Sequence, residues 1–139
     1  MENKEPQFYR VGAVIVREGR LLLVTNSQSK VWWTPGGRVE ENEGNVEALR
    51  REVREELGVE ASSVNFLLSL QSYHSAGPDI LRSFGYYLVE LVGNPVPTSE
   101  IAHVRWVTVE EIRTDVVTAT DTVANVLVPR LIEDGILHG

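Results

Sequence analysis

Apolar residues along this chain fall into short β-type runs and two helix-period stretches, separated by polar, glycine- or proline-containing breaks. Tyr9 to Val16 and Arg20 to Thr25 are strand runs joined by Arg17-Glu18-Gly19, a hairpin signal. Val11, Ala13, Val14, Ile15 and Val16 are too continuously apolar for a half-exposed strand, so this strand is expected to be central. Asn26 to Lys30 is a polar loop. Val31-Trp32-Trp33-Thr34 follows as a short strand, stopped by Pro35-Gly36-Gly37, where a sharp turn is predicted. An acidic loop, Glu40 to Asn45, leads into a helix from about Val46 to Leu57, with Gly58 as its left-handed terminator. Val64 to Ser75 and Ile80 to Val92 are long strand runs linked by Ala76-Gly77-Pro78-Asp79, a second hairpin. Gly93 to Ser99 is a loop with two prolines, His103 to Val107 a last strand, and Val109-Glu110-Glu111-Ile112 the start of a short helix. Thr118 to Asp134 has helical periodicity, with Val123, Val126, Leu127 and Leu131 on one face and Pro129 expected to start a new turn or kink it. This order fits a mixed sheet between helices.

At 139 residues the chain is expected to form one domain, residues 1–139, with room for a genuine core. Hydrophobic and charged fractions of 42% and 24% are those of a soluble globular protein. The net charge of −7 argues against nonspecific binding to DNA or RNA backbones, which needs a basic face. A nucleotide substrate remains compatible with it, because a bound divalent cation reverses the local sign of an acidic site. With no cysteine there is neither a disulfide framework nor a thiolate metal site. No apolar run approaches the roughly 18 residues of a membrane span, and Met1 to Pro6 lack the apolar segment of a signal peptide. A cytoplasmic protein without a membrane partner is the expectation.

The helix is unusual in its charges. With Val46 at zero, Leu49, Val53 and Leu57 fall at about 300°, 340° and 20°, forming a narrow apolar stripe. Glu52, Glu55 and Glu56 fall at about 240°, 180° and 280°, all on one side of it. Arg50, Arg54 and Arg51 fall at about 40°, 80° and 140°, on the other. Acids and bases are therefore read as sorted, with nothing basic on the acidic edge. Like charges three or four residues apart each cost roughly 0.2–0.5 kcal/mol in a helix, so folding alone explains this cluster poorly. Hard divalent cations, which take oxygen ligands, explain it better.

From Gly37 to Val59 the chain resembles the signature of the Nudix hydrolases: Gly, five residues, Glu, seven residues, then Arg-Glu-apolar-any-Glu-Glu-any-Gly-apolar. Gly37, Glu43, Arg51, Glu52, Val53, Glu55, Glu56, Gly58 and Val59 fill every specified position. A chance match has a probability on the order of 10⁻⁸ to 10⁻⁷ at ordinary residue frequencies. The motif spans 23 of 139 residues. One departure is Asn42, where relatives usually carry glycine; asparagine is the non-glycine residue best suited to positive φ, so the same turn is expected.

The resemblance implies an α/β/α sandwich and a Mg²⁺-dependent enzyme, with Mn²⁺ as a possible substitute, that hydrolyses a phosphoanhydride in a nucleoside diphosphate linked to another group. Water is the nucleophile, and divalent cations both clamp phosphate oxygens and acidify bound water. By the same resemblance Glu52 and Glu56 are central metal ligands, Glu55 is a further one, and the carbonyl of Gly36 is another. A Gly-Gly segment lets a cation approach the backbone closely. Glu43 and Arg51 brace the loop against the helix as an ion pair, and Gly37 supports the same structure. Glu40 matches an acidic position preceding the motif glutamate, and Arg38 a basic position after the glycine pair, suited to phosphate. The catalytic base is left between Glu52 and a remote loop glutamate, for which Glu100 stands at the matching place.

Aromatics available for base stacking are Phe8, Tyr9, Trp32, Trp33, Tyr73, Phe84 and Trp106. Adjacent strand residues face opposite sides, so one of Trp32 and Trp33 is expected to point outward, as a stacking platform or a homodimer contact. Two other classes compete: a noncatalytic nucleotide-sensing module, which would usually have lost motif glutamates, and a structural acidic helix. Nucleoside triphosphates, ADP-ribose, dinucleoside polyphosphates and capped RNA are all compatible with such a motif, with short chain length favouring small substrates.

Overall fold

The computed structural model describes residues 6–73 and 81–139. The long apolar run near the start divides at Ile15. Its first part, β1 (Arg10–Val14), and its short continuation, β2 (Val16–Arg17), join different sheets. The hairpin into β3 (Arg20–Thr25) forms as predicted, with positive φ at Glu18 (51°) and Gly19 (77°). Such a turn matches the twist of the strands it joins. The chain continues through β4 (Gly36–Arg38), α1 (Asn45–Leu57), β5 (Ala61–Ser72), β6 (Arg82–Leu91), β7 (His103–Val107), α2 (Val109–Arg113) and α3 (Val128–Glu133). The predicted Ala76-Gly77-Pro78-Asp79 hairpin lies outside the described residues.

One sheet has the order β4-β1-β6-β5 and is mixed, with β1 and β6 parallel and the other pairs antiparallel. The other is antiparallel, in the order β2-β3-β7. Strand alternation divides the core in two. Val11, Ala13, Leu22 and Val24 pack with the α1 stripe of Leu49, Val53 and Leu57, whereas Val14, Leu21 and Leu23 pack with Val123, Leu127 and Leu131 from the end of the chain. Helices therefore cover both faces, and the architecture is the expected α/β/α arrangement. β1 is central, between β4 and β6.

Two expectations fail. Pro35-Gly36-Gly37 is no sharp turn: Gly36 and Gly37 belong to an edge strand that pairs with Gly12 and Val11. Glycine signalled a close approach of backbones here, which sequence alone does not separate from a turn. The last helix does not run unbroken from Thr118. Val123–Leu127 is a π-helical turn, closed by the Val128 N–H donating to the Val123 carbonyl, and α3 begins there with Pro129 in its first turn. The wide turn shifts the helical phase ahead of the proline, which cannot donate. Val126, expected on the apolar face, is consequently exposed.

α1 is tied at its start to the segment that leads into β1 by Asn45, which is buried. Its Oδ1 accepts the Phe8 N–H at 2.8 Å and its Nδ2 donates to the Pro6 carbonyl at 2.8 Å. Gly58 ends the helix in the left-handed conformation (φ 69°), as expected. Asn45→Ala strands a buried backbone donor, so a loss of roughly 1–3 kcal/mol in unfolding free energy is expected from denaturant melts. Unchanged stability would show that α1 is held in place without the Asn45 contacts.

Candidate active site

β4 brings the glycine pair against the side of α1. The Ala13 N–H donates to the Pro35 carbonyl and the Val39 N–H to the Tyr9 carbonyl. Antiparallel alternation then directs both backbone groups of Gly36 away from β1, onto the free edge of the sheet. Its N–H donates there to Glu56 Oε1 at 2.9 Å, so its carbonyl lies on the same edge. Gly36 has no room for a side chain against the backbone of β1, and a side chain on Gly37 would displace the Glu52 carboxyl. A Cβ on Gly36 (φ 150°) would stand 2.1 Å from the Val11 carbonyl oxygen, and one on Gly37 would stand 2.5 to 2.7 Å from the Glu52 carboxyl atoms.

Arg51 is not on a separate basic edge. It curls back over its own helix and the preceding loop, which corrects the sorted-charge reading. Its Nε and Nη2 grip Glu43 at 2.8 and 3.0 Å, Nη2 also donates to the Arg38 carbonyl at 3.0 Å, and Nη1 donates to Glu52 at 2.8 Å and Glu55 at 3.3 Å. An arginine stem is long enough to cross the angle that separates positions on a helical wheel. The contact with Arg51 holds the Glu43 carboxyl below its usual range. Glu40, at 3.7 Å from Arg51 Nε, stands at the outer rim. The loop itself turns at Asn42, which adopts φ 66° as its asparagine predicts.

Glu52 and Glu56 are one turn apart and face β4, while Glu55 is exposed. Burial is the main cause that pushes the Glu52 carboxyl up, against Arg51. Glu56 is pushed further, to about 7, by burial and by Glu52, with only the Gly36 N–H and the charge of Arg10 acting the other way. Among the described residues no three acidic or histidine side chains already converge as a closed metal cluster; Glu52 and Glu55 lean towards Arg51, and Glu56 towards Gly36. The loop after β6 is tied to this end of α1: the Thr98 N–H donates to the Glu56 carbonyl at 3.0 Å, and its hydroxyl to that of Glu55. Glu100 follows on that loop, exposed, and forms no hydrogen bond or ion pair among the described residues.

A cleft of about 310 Å³ opens beside Gly36 and Gly37, over the face of the mixed sheet opposite α1. Arg10, Gly12, Phe84 and Tyr86 form its floor, with Trp33, Thr34, Thr120, Thr122 and Val123 around them. Gly12 leaves the space in which the Tyr86 ring lies, since a Cβ there would meet that ring at 2.7 Å. Trp32 and Trp33 do take opposite sides, but neither is free. Both are half-buried, because Trp33 bonds to Val24 on one flank and Trp32 to Thr118 and Thr120 on the other. Trp33 packs against the first core and also lines the cleft, whereas Trp32 packs against the second core and beside His103. Arg38 is exposed at the rim, its guanidinium 4.5 Å from the centre of the Tyr9 ring. Nothing in the sequence singled out Arg10, Tyr86 or the two threonines; the only signal was Arg10 interrupting the approach to an apolar strand.

A family model described as the NUDIX domain matches residues 6–127. The chain belongs to the NUDIX domain family. It is similar to the phosphatase NudJ of Escherichia coli K12, at 33% identity over 73% of this chain and 69% of that protein. It is 42% identical to the CTP pyrophosphohydrolase of E. coli K12 over 44% of this chain; that match spans 48% of the relative, about half its length. Among solved structures, that of the E. coli ORF135 protein superposes with a TM-score of 0.73 at 26% identity, covering 96% of this chain and 95% of that one.

In this NUDIX domain the metal-free chain has a definite pH response. The Glu56 carboxyl takes up its proton at about 7 when folded and near 4.5 when unfolded. Its contribution to stability is therefore complete below pH 4.5, declines as pH rises, and is lost above about 7. Glu56→Gln keeps the size of the side chain and an acceptor for Gly36, and removes the charge. In EDTA at pH 8 the variant is expected to exceed wild type by about 1–3 kcal/mol, with the gap closing near pH 4.5. A variant less stable than wild type at pH 8 would mean that the carboxylate has a structural cationic partner.

Proposed function

We propose that this chain is a Mg²⁺-dependent nucleotide pyrophosphohydrolase that cleaves a phosphoanhydride in a nucleoside diphosphate linked to another group. The observation that carries this reading is the Glu56 carboxyl, half-buried beside the outward edge of Gly36 and unpaired with any arginine or lysine among the described residues, next to a cleft that Gly36 lines. Burying a carboxylate uncompensated is costly, and a divalent cation on the same edge would supply the compensation. The donors fit a hard ion: carboxylate oxygens of Glu52, Glu56 and Glu55 and the carbonyl oxygen of Gly36. Mg²⁺ or Mn²⁺ bound there supplies charge to the phosphate oxygens and lowers the pKa of water. A relative named as a CTP pyrophosphohydrolase supports a nucleotide substrate, and one named as a phosphatase supports hydrolysis at phosphorus.

The protein groups divide the remaining work. Arg51 and Glu43 hold Glu52 in place against Gly37. Trp33, Phe84 and Tyr86 offer ring faces to a nucleobase, and Arg38 and Arg10 offer charge to phosphate. Proton abstraction from water falls to Glu52, or to Glu100 if its loop swings towards the cleft. Retention of every motif glutamate favours the enzyme over a nucleotide-sensing module.

Hydrolysis of a nucleotide panel with product identification tests the reading. Turnover is expected to vanish in EDTA and return with Mg²⁺ or Mn²⁺; full turnover after rigorous metal removal would overturn it. Within the same assay Trp33→Ala should raise KM several-fold, and Trp32→Ala should lower the melting temperature with little change in KM. The reverse pattern would remove Trp33 as the recognition surface.

A further inference from the structure

At the open end of the cleft, beyond the glycine pair, stands a group of arginines that the acidic composition does not prepare for. Arg10 and Arg38 are direct cross-strand partners between β1 and β4. They belong to a non-hydrogen-bonded pair, in which side chains are closest and like charges destabilise. Arg82 opens β6, two residues before Phe84, the partner of Arg10 on the other side. Its guanidinium stands 3.8 Å from the centre of the Tyr9 ring, on which Arg38 also stacks at 4.5 Å. Tyr9 is itself held edge-on by Phe84. Among the described residues none of the three arginines forms an ion pair with a carboxylate, although acids outnumber bases by 20 to 13. The ring faces of Tyr9 only partly offset the repulsion.

Resting on the hydrolase reading above, we infer that Arg10, Arg38 and Arg82, arranged on Tyr9, form an anion subsite for a phosphate beyond the diphosphate, which makes tri- or longer phosphate chains the preferred substrate class. Arg38 lies two residues along β4 from Gly36, roughly 7 Å at strand spacing. A phosphate chain lying along this edge runs from the carboxylates to the arginines. Three guanidiniums held by strand pairing and a shared ring present planar forks that no carboxylate among the described residues pairs with directly, although Arg10 feels the charge of Glu52 and Glu56 at longer range, and such forks suit phosphate oxygens. Their mutual repulsion, unfavourable in the free chain, is relieved when the anion arrives. A neutral group in place of the further phosphate forgoes that relief.

The subsite is tested by isothermal titration of inorganic tripolyphosphate into the full chain in EDTA at low ionic strength, which separates it from metal binding and from catalysis. Wild type is expected to bind tripolyphosphate more tightly than pyrophosphate. Arg38→Gln/Arg82→Gln should weaken tripolyphosphate binding at least tenfold, and Arg38→Lys/Arg82→Lys should recover part of that loss. Arg38 is exposed and Arg82 half-buried, and circular dichroism melts check that both pairs of substitutions leave the fold intact. Equal affinities for wild type and the Gln pair, or no binding by wild type, would overturn the subsite. If the subsite binds but the nucleotide panel shows no turnover, the hydrolase reading fails and the anion site stands.

Discussion

The Arg51 guanidinium uses both of its edges and its tip at once, on Glu43, on the Arg38 carbonyl and on Glu52 and Glu55. Those partners come from three pieces of chain: the loop, the edge strand β4 and helix α1. Among the described residues no other side chain in the site joins all three. Bidentate pairing with a mostly buried Glu43 makes the contact directional, so it sets both the distance and the rotation of the helix relative to β4. The narrow gap that results is why Gly37 has no side chain, since the Glu52 carboxyl occupies the space a Cβ would need. A lysine at position 51 would keep the charge but could not hold these partners in one plane.

Around that tie the charges are arranged against stability. Glu56 is kept in a place where burial and Glu52 both oppose its ionisation. Across the same glycine edge, Arg10 and Arg38 face each other as like charges. Like charges oppose one another within each cluster, Arg10 offsets Glu52 and Glu56 only in part, and a ligand of opposite sign adds to that offset. Opposed clusters along one strand edge suit a ligand that is itself anionic and arrives with a cation. Stability given up at such a place in exchange for binding is a familiar pattern in enzymes.

The aromatic residues show how far pattern alone reaches. Alternation correctly sends Trp32 and Trp33 to opposite sides, yet burial of each depends on what lies across from it. β3 bonds to Trp33, and the segment around Thr118 to Thr120 bonds to Trp32, from far along the chain. Likewise the cleft floor joins Arg10, Gly12, Phe84 and Tyr86 through a parallel pairing of strands some seventy residues apart in the chain. Parallel partners leave no local signal comparable to a hairpin turn.

Spacing along one helix was enough to place Glu52, Glu55 and Glu56 on one side of its apolar stripe, because neighbours three and four positions apart obey a fixed helical geometry, whereas Glu43 and Arg51 were joined to them only by the resemblance of the motif. Local chemistry likewise determined the Glu18-Gly19 hairpin, the positive φ of Asn42 and the left-handed end at Gly58, each set by backbone preferences of a few adjacent residues. Tertiary structure alone decided that Gly36 and Gly37 belong to an edge strand, that Arg51 reaches the acids, that Glu56 is half-buried, and which rings and arginines meet at the cleft. These depend on strand partners and side-chain reach across the sheet, and long-range pairing is chosen by the packing of the whole core, which no short window of sequence contains.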